Sequence, residues 1–240
     1  MKPQTLYTAV GHLKLLRGKG GLRYPVIEVN QKNQAVNMQE LAIWSRLSWR
    51  FRDLDQLGGD YQAAVQEMAI PLTAKSTLTF DACVNILLVR GLITSGSGDT
   101  QADALYDLLS GLYVVPISAN RAVRLSAFFK LLLTRRASFA QAMRLFEPDR
   151  PNAEELRVLG LSRQALLSTA EIIKCVADHV EDVSSDDKLL SAIYHDDATT
   201  CYNISYLMHQ SPERDSVLQA VANLYLRKQV VFQRVGLCGS

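Results

Sequence analysis

Residues 80–93, Phe-Asp-Ala-Cys-Val-Asn-Ile-Leu-Leu-Val-Arg-Gly-Leu-Ile, constrain the fold of this chain most. Phe80, Cys83, Val84, Leu87 and Leu88 recur at i, i+3, i+4, i+7 and i+8, the spacing of one buried helix face. Thr77 or Thr79 supplies an N-cap oxygen before it. Arg90 stands where a cation complements the C-terminal end of the helix dipole. Leu92-Ile93 then leave the helix as β-formers, and the Ser/Gly/Asp stretch 95–99 reads as a flexible loop. The order is helix, short strand, loop.

The rest of the chain reads as more helix. A weak helical pattern spans 5–16 and is broken at Gly18–Gly21; Tyr24–Val29 reads as a strand, with a polar turn and a return strand at 35–38. Leu41, Trp44, Leu47, Phe51 and Leu54 predict one long helix over 38–56. Gly58-Gly59 reads as its stop, with Asp60 capping a further helix over 61–69. Helices are expected at 101–113, 119–135, 137–146, 162–180, 186–194, 199–210 and 214–228. Glu147-Pro-Asp-Arg-Pro-Asn152 is the expected linker, and Val230-Val231-Phe232 a closing strand. With 48% hydrophobic and 21% charged residues, the chain has the profile of a globular protein with a core.

Aligning Arg90 with Arg227 places Phe80, Cys83, Val84, Leu87 and Leu88 on Val217, Ala220, Val221, Leu224 and Tyr225, all apolar. Leu92-Ile93 and Val230-Val231 then match as β-formers. The helix–helix–strand order of 60–94 is therefore expected again at 186–235, against the alternative that any amphipathic helix before a strand would match in part.

The residues VNILLVRGLITSGSGDT resemble the recognition helix and wing of winged helix-turn-helix transcription regulators, over about residues 38–100. The chain departs from that pattern in its long connection 70–78 and in the missing second wing strand. The resemblance implies a mostly α fold with small β-hairpins. A winged-helix-like domain at 1–118 would precede a helical domain at 119–240, with a second winged-helix-like unit at 186–235. It also implies DNA binding.

Charge bears on that implication. Residues 1–52 carry nine Lys/Arg against Glu28 and Glu40, a balance of +7, while 176–200 carry seven acids and one lysine, a balance of −6. A basic end can face phosphate or an acidic partner, and either run can equally be a solvated face. The candidate DNA contacts are Lys14, Arg17, Lys19 and Arg23 around a flexible Gly pair, Lys75, Thr77, Ser95 and Ser97 as phosphate holders, and Asn85 for an adenine edge. Asp81, on the same outward stripe as Asn85, repels phosphate. Arg46, Arg50 and Asp53 share a helix face as a solvated stripe.

Catalytic signatures are missing: no GxxxxGK[ST], GxSxG or HExxH occurs, and GKGG and SGSGD lack the strand–helix context of a nucleotide loop. Cys175 and His179 lie at i, i+4, and His195, Asp196, Cys201 and His209 follow, but the spacings fit no zinc module. The four cysteines form no CxxC pair and read as reduced, mostly buried thiols. No apolar run approaches the roughly 20 residues of a membrane span, and the first residues lack the apolar core of a signal peptide. The expectation is a cytoplasmic, non-enzymatic protein without cofactor, metal or membrane partner. It would act as a DNA-binding transcriptional regulator on duplex DNA. The alternative is a protein-interaction module or assembly subunit that binds a protein partner or its own copies and no DNA.

Overall fold

The first residues are strands where the local pattern suggests a helix. The computed structural model describes residues 3–18, 21, 23–67, 78–117, 151–196 and 198–234. β1 (Gln4–Ala9) and β2 (His12–Arg17) take up the stretch expected to be helical. Gly11 turns the chain between them at φ +82°, and its N–H donates 2.8 Å to the Phe232 carbonyl. A Cβ there would stand 2.4 Å from the Glu28 carbonyl oxygen, so only glycine fits. β1 pairs antiparallel with β5 (Ile93–Gly98), joining Leu6 to Gly96; β2 pairs with β3 (Arg23–Val29), and β3 with β4 (Lys32–Ala35). These are tertiary pairings, and pairing overrides a weak local pattern.

The mostly α expectation is corrected accordingly. About 49% of the described residues are helical and 21% are in strands. Nine helices and three small antiparallel sheets among the described residues make a mixed α and β fold. The expected wing is not a loop: residues 93–98 are β5, held along one edge by β1. Both helices expected within 119–146, and residues 147–150 of the expected linker, lie outside the described residues.

The single helix expected at 38–56 is two. α1 (Met38–Leu47) ends at Ser48, and Trp49 takes φ +57°. Asp53 then caps α2 (Leu54–Glu67), accepting 2.7 Å from the Gln56 N–H. Gly58 and Gly59 lie inside α2 and do not stop it. Each glycine costs roughly 0.5–1 kcal/mol in a helix, which burial of Leu57, Tyr61, Ala64 and Val65 on one face offsets. α3 (Phe80–Val89), α4 (Gln101–Leu109) and β6 (Tyr113–Pro116) follow. The helix expected at 162–180 is also two, α5 (Ala153–Gln164) and α6 (Thr169–Ala177), separated at the Ser168 cap. α7 (Asp186–Ile193), α8 (Ile204–Met208), α9 (Arg214–Leu226) and β7 (Val230–Gln233) complete the described chain.

One arrangement occurs twice. α1 and α5 both open on a capping box, Asn37 with Glu40 and Asn152 with Glu155. Sixteen positions further on, from 37 to 53 and from 152 to 168, α2 and α6 start after the caps Asp53 and Ser168. α3 and α9 both end on an arginine, Arg90 and Arg227. Both close with the same double hydrogen bond: Gly91 to Leu88 and Leu92 to Leu87 in one, Lys228 to Tyr225 and Gln229 to Leu224 in the other. Each arginine then reaches back to the capping-box glutamate of its own half, Arg90 to Glu40 at 3.0 Å and Arg227 to Glu155 at 2.8 Å. A closing strand pairs antiparallel with an opening strand in each, β5 with β1 and β7 with β6. Both opening strands bond to the α–α connection: Tyr7 N–H to the Arg52 carbonyl, Val114 N–H to the Leu167 carbonyl. The repeat expected over 60–94 and 186–235 is thus redrawn. The helices equivalent to α1 and α2 are α5 and α6; α7 and α8 are inserted before α9.

The two units share a core. Tyr225 on α9 accepts at its hydroxyl from Thr8 Oγ1 at 3.0 Å and from the Trp49 N–H at 2.9 Å, and its ring stacks on Phe232. Ile43, Leu47, Leu87, Ile93, Ile172, Val221, Leu224 and Phe232 belong to the same buried cluster.

Candidate interaction site

α3 is built as its pattern demands. Thr79 is the N-cap, its side chain accepting from the Ala82 N–H. Cys83, Val84 and Leu87 are buried, and Phe80 and Leu88 pack against the core at its margin. The opposite face is Asp81, Asn85 and Val89, all exposed, with Leu78 just before the helix. Val89 is 89% exposed, an apolar side chain held in water at the end of a rigid helix.

Arg90 is committed to structure. One guanidinium nitrogen donates to Glu40 Oε2 at 3.0 Å and the other to the Ala35 carbonyl at 2.5 Å, while its own carbonyl accepts from Gln34. Ser97 is committed as well: its N–H donates to Asp107 and its hydroxyl pairs with Thr5. Ser95 is exposed on β5. Lys14 is paired with Glu28 on the neighbouring strand. Arg46 pairs with Glu67 and Arg52 with Asp60, so part of the +7 balance is neutralised inside the fold. Arg17 and Arg23 face each other across the β2–β3 hairpin. The structure thus brings Asn85 to an exposed helix face and Arg17 and Arg23 to a hairpin elsewhere. Lys19, Lys75 and Thr77 lie outside the described residues.

The metal alternative finds no geometry. Cys175 is buried on α6, where burial, then the nearby Glu171 and Asp178, push its thiol up to about 12. His179 is exposed, in left-handed backbone past the helix end. Among the described residues no three His, Cys, Asp or Glu side chains converge on a metal position.

A cleft of about 570 Å³ lies beside α4 and α8, lined by Ser97, Asp103, Tyr106, Asp107, Tyr206 and His209 among others. Its polar groups face inward partners. Asp103 is held below the ordinary carboxylate range by the Thr100 hydroxyl and then by Arg214. Tyr106 donates to the Ser205 carbonyl, and burial pushes its hydroxyl up to about 12.

Three features escaped the reading of the sequence: the exposure of Val89, the Glu40–Arg90 and Glu155–Arg227 pairs, and the hub at Tyr225. The two Asn-x-x-Glu boxes were a local signal for the second of these. No family model matches this chain, and no curated protein or solved structure shows a significant match to it. No described helix is long and apolar enough to cross a membrane.

Proposed function

We propose that this chain is a protein-interaction module whose contact surface is the outward face of α3. The observation that carries this reading is Val89, 89% exposed, on the same face as Asp81 and Asn85. A helix that reads DNA presents donors and positive charge to phosphates and base edges. This face presents a carboxylate, an amide and an aliphatic side chain, with no cation for a phosphate. The arginine at its end is held by Glu40 and the Ala35 carbonyl. The apolar core behind it makes the face rigid, which lowers the cost of binding.

A photo-crosslinking residue placed at Val89 tests this in cells. Discrete protein adducts are expected from position 89 and not from the exposed Ser216 on α9. The rival reading, duplex DNA held by Arg17 and Arg23, is tested alongside. Titration with random duplex at low salt should give no binding tighter than roughly 100 μM, the weak limit for non-specific DNA binders. Tighter, salt-dependent binding without adducts from position 89 would overturn the proposal in favour of DNA.

A further inference from the structure

The β2–β3 hairpin carries a feature that the α3 face does not account for. Arg17 and Arg23 are directly paired across the two strands, and both are exposed. Like charges directly opposite each other destabilise a sheet. Among the described residues neither forms an ion pair; the acid on this hairpin, Glu28, is taken by Lys14 and His12. The same face of the hairpin continues through Leu15, paired with Pro25, and Leu13, paired with Ile27; Leu15 is 59% exposed. β2 is an edge strand whose one strand neighbour is β3. Exposed leucines on an edge strand are what folded proteins normally cover or blunt. Among the described residues the hairpin therefore lacks two things, carboxylates beside its arginines and an apolar cover for its leucines.

The chain itself offers both at another place. Asp178, Glu181, Asp182, Asp186 and Asp187 are all exposed between the end of α6 and the first turn of α7. Lys188 is spent on Asp182 at 2.5 Å and Lys174 on Asp178 at 3.2 Å, which leaves Glu181, Asp186 and Asp187 without an ion-pair partner among the described residues. Hydrogen bonds from Lys188 and Ser184 hold Asp182 far below the ordinary carboxylate range, so it stays ionised. Asp186, Asp187 and Leu190 fall at i, i+1 and i+4, on one side of α7, and Leu190 is 54% exposed. α7 packs against α6, while the hairpin is joined to β4 and, at Gly11 and Asn30, to β7 and the residue after it. Among the described residues no hydrogen bond or ion pair joins the two patches within one chain.

We infer that the β2–β3 hairpin of one molecule docks on residues 178–190 of a second copy, with Arg17 and Arg23 against Asp186 and Asp187 and Leu15 against Leu190. The charges and apolar residues match in sign and kind, whereas duplex DNA would satisfy the arginines and leave the leucines wet. Two such contacts made reciprocally about a twofold axis close a dimer, and contacts made in succession build rings or open chains. The docking leaves α3 free and stands independently of the function proposed for that helix.

Sedimentation velocity on the full chain across a concentration series tests the inference. At low salt the mass should rise with concentration above the 26.7 kDa monomer, and it should fall back near 0.5 M salt, where the Debye length drops to about 4 Å. Arg17→Glu with Arg23→Glu should weaken association at least about tenfold, as should Asp186→Lys with Asp187→Lys, since like charges then meet at the interface. An equal mixture of the two charge-reversed proteins should associate again, because each then meets a complementary partner. That recovery also shows both variants to be folded. A wild-type chain that stays monomeric throughout, association indifferent to salt, or a mixture that does not recover would each overturn the inference. A monomer that binds random duplex only while Arg17 and Arg23 are intact would overturn it too and assign the hairpin to nucleic acid.

Discussion

The Arg227 guanidinium lies 2.8 Å from Glu155, a carboxylate that is entirely buried. Asn223 donates to the other oxygen at 3.0 Å, and Glu155 also caps its own helix through the Asn152 N–H. A buried carboxylate that loses its cation is left charged in a poor solvent. Arg227→Ala should therefore cost about 3 kcal/mol, the lower end for a broken buried pair because the arginine is itself partly exposed. Arg90→Ala should cost less, because the Glu40 side chain keeps 7% of its surface in solvent and that of Glu155 keeps 0%. Urea denaturation of both variants measures the difference, and equal losses would contradict this account.

α3 provides a second comparison on one helix. Leu87 is fully buried, and Leu87→Ala should cost about 2–5 kcal/mol through lost transfer energy and a cavity. Val89, two residues later, is exposed, and Val89→Ala should stay within about 0.5 kcal/mol. Urea midpoints at unchanged m-value decide whether the helix is oriented as described.

Two glycines separate steric from conformational constraint. At Gly96 in β5 an added Cβ would stand 2.1 Å from the Leu108 backbone nitrogen, so Gly96→Ala must push α4 off the sheet. A loss of about 3 kcal/mol or more is expected, the cost of severe overpacking. At Gly91 the space is open but φ is +66°, so Gly91→Ala should cost only about 1 kcal/mol. Thermal melts rank the two.

Tyr225 links the two units and gives a pH signature. Burial pushes its hydroxyl up to about 12, and Tyr106 likewise, while an unfolded tyrosine titrates near 10. Above about pH 10 the unfolded chain therefore releases protons that the native state keeps. Stability should be unaffected by these groups below pH 10 and fall as pH rises from there to about 12. Tyr225→Phe should flatten part of that fall. At neutral pH it should cost about 1–3 kcal/mol, because the Trp49 N–H loses its acceptor. Melting temperatures from pH 8 to 11 test both parts; an unchanged slope in the variant would show that Tyr225 does not titrate as described.

The amino-acid sequence by itself determined α3, a threonine cap before it at 77 or 79, its Arg90 end and its buried face, because a 3.6-residue period and a cap are properties of neighbours along the chain. It equally determined the matching end of α9 at Arg227 and the outward placement of Asp81 and Asn85. Tertiary structure decided the rest. Residues 4–17 became strands because Leu6 and Tyr7 find Gly96 and Ser95, and Leu15 finds Pro25. α2 ran through Gly58-Gly59 because burial of Leu57 and Tyr61 outweighed a local penalty of roughly 1 kcal/mol per glycine. Lys14, Arg46 and Arg52 were counted as free charge until folding set each beside a carboxylate, while Arg17 was set beside Arg23. Charge and strand pairing act between residues that only the fold brings together, so a pattern read along the chain carries the helices and leaves the surfaces undetermined.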